Sequence, residues 1–222
     1  MSFFDSLHQA TADARIDLLA APAIAGSLAG RISRESYLAF LAQAYHHVRH
    51  TTPLLMSLGG RLPERLAWLR RAVAEYIEEE IGHEEWILND IAAAGGDAEA
   101  VRHSRPDLPA EVMVAYAYDL INRGNPAAFF GMVYVLEGTS VALALRAADS
   151  IQQTLGLPDG AFTYLRSHGT LDIEHTRHLA ELVNNMDPAD QADVVHAARV
   201  FFKLYGDVFR ALPVTEEALA CS

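Results

Sequence analysis

Three segments of the sequence have a helical periodicity whose apolar side is interrupted by residue types that bind metals. In residues 63–92, the positions that recur in steps of three and four are apolar or aromatic except for Glu80 and His83. Such steps place side chains on one side of an α-helix. Ionisable groups on a buried side are costly unless a partner neutralises them. The pattern predicts a core helix whose E-x-x-H pair faces a polar site.

The second segment, residues 127–145, contains one charged residue, Glu137, among aliphatic and aromatic side chains. Asn125 and Pro126 predict the start of its helix, because Asn is a frequent N-cap and Pro is favoured in the first turn. A lone carboxylate in such an apolar helix would face the interior. We therefore predict that Glu137 is buried and has a partner.

The third segment, residues 161–183, repeats the pattern of the first. His168, Asp172 and His175 follow one another along its inward side, and most charged residues lie on its other sides. This distribution is typical of an amphipathic helix. The H-x-x-x-D-x-x-H spacing predicts three polar side chains that point to the same place.

The three segments together supply three carboxylates and three imidazoles, a mixture that favours iron or manganese over thiolate-preferring ions. Helical bundles can hold two metals in this way. A single histidine on an apolar face is more often a hydrogen-bonded core residue, so the prediction depends on the three segments jointly. Glu84 is the alternative ligand if the register of the first helix differs. The predicted ligands are Glu80, His83, Glu137, His168, Asp172 and His175.

In the order and spacing of these residues the chain resembles the heme-oxygenase-like diiron oxidases and oxygenases, a superfamily with TenA-like and PqqC-like relatives. The resemblance implies an all-α, single-domain helical bundle that binds two iron ions, or manganese, and no heme. It implies Glu137 as the bridging ligand and an enzyme that uses O2 to oxidise a small organic substrate. Desaturation, decarboxylation, C–C cleavage and N-oxygenation all stay open.

Other members of this fold family suggest alternative functions for the chain. Residues 6–15 resemble the first helix of heme oxygenases, but Arg15 stands where the heme-binding histidine is expected, unless His8 takes that role. A thiaminase would need a nucleophilic cysteine within the fold, whereas the single cysteine is Cys221. A cofactorless oxidase of the pyrroloquinoline-quinone synthase type is the main alternative, and a non-catalytic TenA-like ligand-binding protein is the other.

A fourth helical stretch, residues 34–58, carries a cluster of histidines with Tyr45 and His47. Surface histidines would explain the cluster. The functional interpretation is that Tyr45 or His47 lines a substrate pocket beside the metals, with Tyr134 completing it one turn before Glu137. On this interpretation Tyr134 and Glu137 are the catalytic residues.

Composition agrees with one domain over residues 1–215, followed by a short C-terminal tail, 216–222. About half of the residues are apolar, and short Gly/Pro breaks separate helix-length segments without strand-like alternation. We expect seven to nine helices, the last over residues 189–212.

Charge and composition also limit the partners. The formal net charge of −12 disfavours nucleic acid. Residues 127–145 favour a buried core helix over a membrane helix because of the central Glu137. The N-terminus lacks a signal pattern and one cysteine allows no internal disulfide, so we expect a cytoplasmic protein. The family resemblance implies a homodimer.

Overall fold

Helices form the regular secondary structure of the part of the chain that is described. The computed structural model describes residues 1–214, apart from the side chain of Ile173, and these residues contain no strand. The predicted all-α class is confirmed, whereas the predicted tail, 216–222, lies outside the described residues. The α-helices are α1 (Phe3–Ala10), α2 (Ala12–Leu19), α3 (Pro22–Leu28), α4 (Arg34–Val48), α5 (Thr51–Arg61), α6 (Leu69–Glu80), α7 (His83–Ala93), α8 (Ala98–His103), α9 (Leu108–Arg123), α10 (Phe130–Leu155), α11 (Thr163–Asn184) and α12 (Pro188–Arg210).

The twelve α-helices of residues 1–214 exceed the predicted seven to nine because short breaks divide segments that we expected to be continuous. The expected helix over residues 34–58 is divided at Arg49 and His50. The expected helix over residues 63–92 is divided at Ile81 and Gly82. Gly82 has a φ of +91°, a left-handed conformation that glycine adopts without steric cost.

Helix α10 occupies the centre of the fold and packs lengthwise against α11 and α12. The stretch Pro126–Leu155, which contains α10, is long and apolar enough to cross a membrane, but 61% of its most apolar window is buried in the protein. Core helices pass the same length and composition test. The packing favours the interpretation of this stretch as a core helix.

Asp90 of α7 holds the N-terminal end of α11. Its carboxylate accepts hydrogen bonds from the backbone N–H groups of Thr163, at 3.0 Å, and Tyr164, at 2.8 Å. These N–H groups have no partner within their own helix, and a negative charge is favourable at a helix N-terminus. The contact sets the position of α11 along α7, so that His168 comes to lie beside His83.

A second buried carboxylate, Asp190, joins three parts of the chain near the start of α12. It is fully buried and accepts hydrogen bonds from Arg65 Nη2 at 2.8 Å and Asn125 Nδ2 at 2.7 Å, with a further contact to Arg65 Nη1. The hydrogen bond from Arg65 is the main cause of the lowered pKa of Asp190, and Asn125 lowers it further. The network fixes α12 against the turn that precedes α10.

We expect Asp190→Asn to lower the free energy of unfolding by about 2 kcal/mol at pH 7, because it weakens hydrogen bonds to a charged group. The folded-state pKa lies below the unfolded value. The stabilisation by ionised Asp190 is therefore fully present above the pKa that Asp190 has in the unfolded chain. It is lost as the pH falls through the lower pKa that Asp190 has in the folded protein. Urea unfolding of both proteins at pH 7 and in acid tests this. A difference that is unchanged in acid would contradict the assignment.

Candidate metal centre

The break between α6 and α7 brings Glu80 and His83 together. Glu80 is the last residue of α6 and His83 the first of α7, and Glu80 Oε2 lies 3.2 Å from His83 Nδ1. The His83 ring stacks on Trp86 at a centroid distance of 3.9 Å. The predicted pair is thus brought together by a turn, and not by one continuous helix.

His168 of α11 joins this pair. One ligand atom each of Glu80, His83 and His168 lies within 4.8 Å of the others. The Nδ1 of His168 donates a hydrogen bond to the carbonyl oxygen of Tyr164 at 3.1 Å, because a carbonyl can only accept. This bond leaves Nε2 of His168 as the nitrogen available to a metal.

The other predicted ligands form a second group one turn further along α11. His175 Nδ1 lies 3.3 Å from Asp172 Oδ1 and 3.8 Å from Glu137 Oε1. All three residues are buried, and the exposed fraction of Asp172 is only 2%. Glu80, Glu137, His168 and Asp172 line one common cavity, so the two groups belong to the same site.

The carboxylates of the site perturb one another. Burial raises the pKa of Glu137 well above its usual range, and the charges of Asp172 and Glu80 raise it further. Burial also acts to raise the pKa of Glu80, but the adjacent His83 and the other nearby histidines outweigh it and lower that pKa. The pKa of His175 is raised, mainly by Asp172. A cation at this site would relieve the repulsion between the carboxylates.

Several potential metal-ligand atoms of the site are buried and make no well-aligned hydrogen bond among the described residues, although His83 Nδ1 lies close to Glu80 and His175 Nδ1 close to Asp172. A protein rarely leaves such atoms unpaired, and a coordinated metal is one way to satisfy them. The donor set contains only oxygen and nitrogen, which suits iron or manganese. The residues therefore fit a metal centre. The atoms without a well-aligned hydrogen bond in the described part of the chain are His83 Nδ1, Glu137 Oε2, Asp172 Oδ1 and His175 Nδ1.

The weaker predictions about substrate contacts have mixed outcomes. His47 is buried and lines the cavity, so the interpretation of His47 as a surface histidine is wrong. Tyr45 and Tyr134 are buried but do not line the cavity, contrary to prediction. The Tyr134 hydroxyl points to the N-terminal helices and contacts His8 Nδ1 at 3.1 Å. Three residues correspond to about 300° of helical rotation, a net offset of about 60°. This offset directs Tyr134 toward α1 while Glu137 faces the cavity.

Sequence reasoning missed some residues of the site. Glu79 Oε2 lies 3.0 Å from His175 Nε2, and the Glu79 side chain is half-exposed. Tyr76, Tyr164 and Tyr205 also line the cavity, and the Tyr76 hydroxyl makes no well-aligned hydrogen bond with any described residue. Tyr76 was detectable on the inward side of the first segment, whereas helical periodicity gives no signal for Glu79.

The family model described as iron-containing redox enzyme matches residues 38–206, which include all six predicted ligands. The chain belongs to the iron-containing redox enzyme family. A comparison with curated protein sequences found no match.

The fold of this family member is similar to those of several solved structures. A domain of unknown function with a heme oxygenase-like fold from Shewanella denitrificans is 26% identical with a TM-score of 0.83, over 92% of this chain and 89% of that one. A TenA homolog from Pseudomonas syringae pv. tomato is 13% identical (TM-score 0.73; 92% and 90% covered). Heme oxygenase from Leptospira interrogans is 14% identical (TM-score 0.74; 96% and 100% covered). The heme-oxygenase-like fold is thereby confirmed.

Proposed function

We propose that this member of the iron-containing redox enzyme family is a non-heme diiron oxidase or oxygenase that uses O2 to oxidise a small organic substrate. The observation that carries the proposal is the convergence of six buried or half-buried carboxylate and imidazole side chains from α6, α7, α10 and α11, four of which line one mainly apolar cavity. The ligands would be Glu80, His83, Glu137, His168, Asp172 and His175.

Iron supplies the electrons that activate O2 when it is bound, and the chain's own residues prepare the site. The hydrogen bond from His168 to the Tyr164 carbonyl orients that imidazole, and Asp90 holds the helix that carries it. The charges of both Asp172 and Glu80 act on Glu137, so its carboxylate would help to hold the metal together with both groups of ligands. The apolar walls exclude water from the cavity.

Two observations support a non-heme site over a heme site. Arg15 stands where the family resemblance places the heme ligand, and its guanidinium donates to the carbonyl oxygen of His8. The side chain of His8 contacts Tyr134 and does not line the cavity. A cofactorless oxidase is the second candidate, because buried His47 lines the cavity and its Nδ1 has no hydrogen-bond partner within residues 1–214. The pKa of His47 is lowered to about 3 by burial.

Anaerobic titration of the metal-free protein with Fe(II) tests the proposal. We expect saturation at about two ions per chain, followed by O2 consumption and a transient visible absorption when air is admitted. His83→Ala should reduce the stoichiometry, whereas His103→Ala, at an exposed position on α8, should not. Oxidation of substrate that survives exhaustive chelation would favour the cofactorless alternative. Ligand binding without O2 consumption would favour a non-catalytic binding protein.

A further inference from the structure

Trp86 connects two of the proposed metal ligands to the protein surface. Its indole stacks on the His83 ring at a centroid distance of 3.9 Å and an interplanar angle of 28°, and it contacts the His168 ring edge-on at 6.1 Å. His83 is buried, whereas Trp86 is half-buried and reaches solvent. One aromatic side chain therefore spans the distance between the candidate metal centre and the surface.

Trp86 lies outside the cavity that the substrate would occupy. It is not one of the lining residues, which include the aromatic side chains of Tyr76, Tyr164 and Tyr205. Trp86 and His83 are three residues apart on α7, so their contact is made within a single helix. A molecule bound in the cavity would leave the stacking of Trp86 on His83 unchanged.

An iron centre that has reacted with O2 is a strong oxidant, and without substrate it takes electrons from the protein. The ligands His83 and His168 are then among the nearest groups, and their oxidation would destroy the site. A protein that binds a redox metal has to limit such competing reactions. Indole loses an electron more readily than imidazole does, and the stacking leaves a single imidazole between the Trp86 indole and the metal.

On the basis of the proposed function, we propose that Trp86 donates an electron to the oxidised metal centre when O2 is activated without substrate. The indole loses one electron and the centre is reduced by one electron. The oxidised indole then releases its N–H proton to water and becomes a neutral radical. An external thiol restores Trp86 by giving it a hydrogen atom, and two of the resulting thiyl radicals combine to a disulfide.

Peptide mass spectrometry after exposure of the iron-loaded protein to O2, without substrate or thiol, tests the proposal. The chain has two tryptophans, and the second, Trp68, is an internal control. Trp68 is 43% exposed, whereas Trp86 is half-buried, so oxidants that diffuse through the solvent would favour Trp68. Trp68 also precedes Glu80 by the whole length of α6, roughly 18 Å. We expect severalfold more oxidation at Trp86, and equal or greater oxidation of Trp68 would overturn the proposal.

Two substitutions separate electron donation from packing. Trp86→Phe keeps an aromatic ring against His83 but resists oxidation, whereas Trp86→Tyr keeps a ring that can be oxidised. Rapid-freeze electron paramagnetic resonance should detect an indole radical in the wild type and in the control Trp68→Phe. The signal should be replaced by a phenoxyl radical in Trp86→Tyr and be lost in Trp86→Phe. An unchanged radical signal in Trp86→Phe would overturn the proposal.

The damage to the ligands provides a second comparison of the same variants. After repeated exposure to O2, oxidation of His83 and His168 should be severalfold greater in Trp86→Phe than in the wild type, and Trp86→Tyr should restore part of the protection. A packing role predicts no such difference between the Phe and Tyr variants. Equal histidine oxidation in Trp86→Phe and the wild type would contradict the proposal.

Metal binding and O2 consumption of each protein are measured first. If Trp86→Phe binds less iron than the wild type, the comparison of Trp86 with Trp68 in the wild type still decides the matter. O2 consumption by the wild type without oxidation of Trp86 overturns the role of Trp86 alone and leaves the diiron function standing. If the iron-loaded wild type consumes no O2, the proposed function fails and the role of Trp86 fails with it.

Discussion

Glu137→Gln is expected to reduce the rate of O2-dependent substrate oxidation by at least about 100-fold. Changes in residues that only support a metal ligand cost ten- to a hundredfold, so loss of a central ligand should cost no less. The substitution keeps the size of the side chain and removes one negative charge from the acidic cluster. Activity of the iron-loaded variant, measured as O2 consumption with substrate, checks the result.

Stability of the same variant distinguishes a metal ligand from a structural carboxylate. At a metal concentration 100 times the dissociation constant, the wild type should gain about 2.7 kcal/mol, and a variant that binds 100-fold more weakly only about 0.4 kcal/mol. Without metal, Glu137→Gln should be no less stable than the wild type, because it removes repulsion with Asp172 and Glu80. Glu78→Gln, at an exposed position on α6, is the control. Equal metal stabilisation of the wild type and Glu137→Gln would refute the assignment.

The all-α class and the residues that meet at the candidate metal site could be predicted from the sequence, because apolar periodicity and ligand spacing are local properties. His168, Asp172 and His175 recur at helical intervals, and α11 is one helix over that stretch. An ionisable residue in an otherwise apolar helix, such as Glu137, must face either water or a partner. Burial of Glu137 at a polar site therefore follows from simple energetics, whereas its closeness to a second carboxylate, Asp172, does not.

The division of helices could not be predicted from periodicity alone. A turn at Ile81 and Gly82 leaves Glu80 and His83 close together, so the ligand pair looks the same in a continuous helix and in a broken one. Gly82 was the available signal, since a glycine inside a helical pattern often marks an interruption.

The lining of the cavity depends on contacts between segments that are distant in sequence. The distinction between Tyr134, which points toward α1, and His47, which faces the cavity, requires the rotation of α10 and α4 about their axes.

Gly131→Ala is expected to lower the free energy of unfolding by about 3 kcal/mol or more. A Cβ at this position would lie 2.7 Å from the backbone nitrogen of Ala198 and 2.7 Å from the carbonyl oxygen of Val194. Both contacts are with the backbone of α12, which cannot rotate away as a side chain can. Since a domain is stable by about 5–15 kcal/mol, this loss is a large fraction of the total.

Gly138→Ala, seven residues later in the same helix, is expected to have the opposite effect on the free energy of unfolding. A Cβ at Gly138 meets no atom within 4 Å, so the higher helix propensity of alanine should stabilise the metal-free protein by up to about 1 kcal/mol. Urea unfolding of both variants without metal compares the two positions. Similar small changes in both variants would mean that α10 and α12 do not approach closely at Gly131. Because α10 carries Glu137, a shift of this helix would also displace the centre of the candidate metal site.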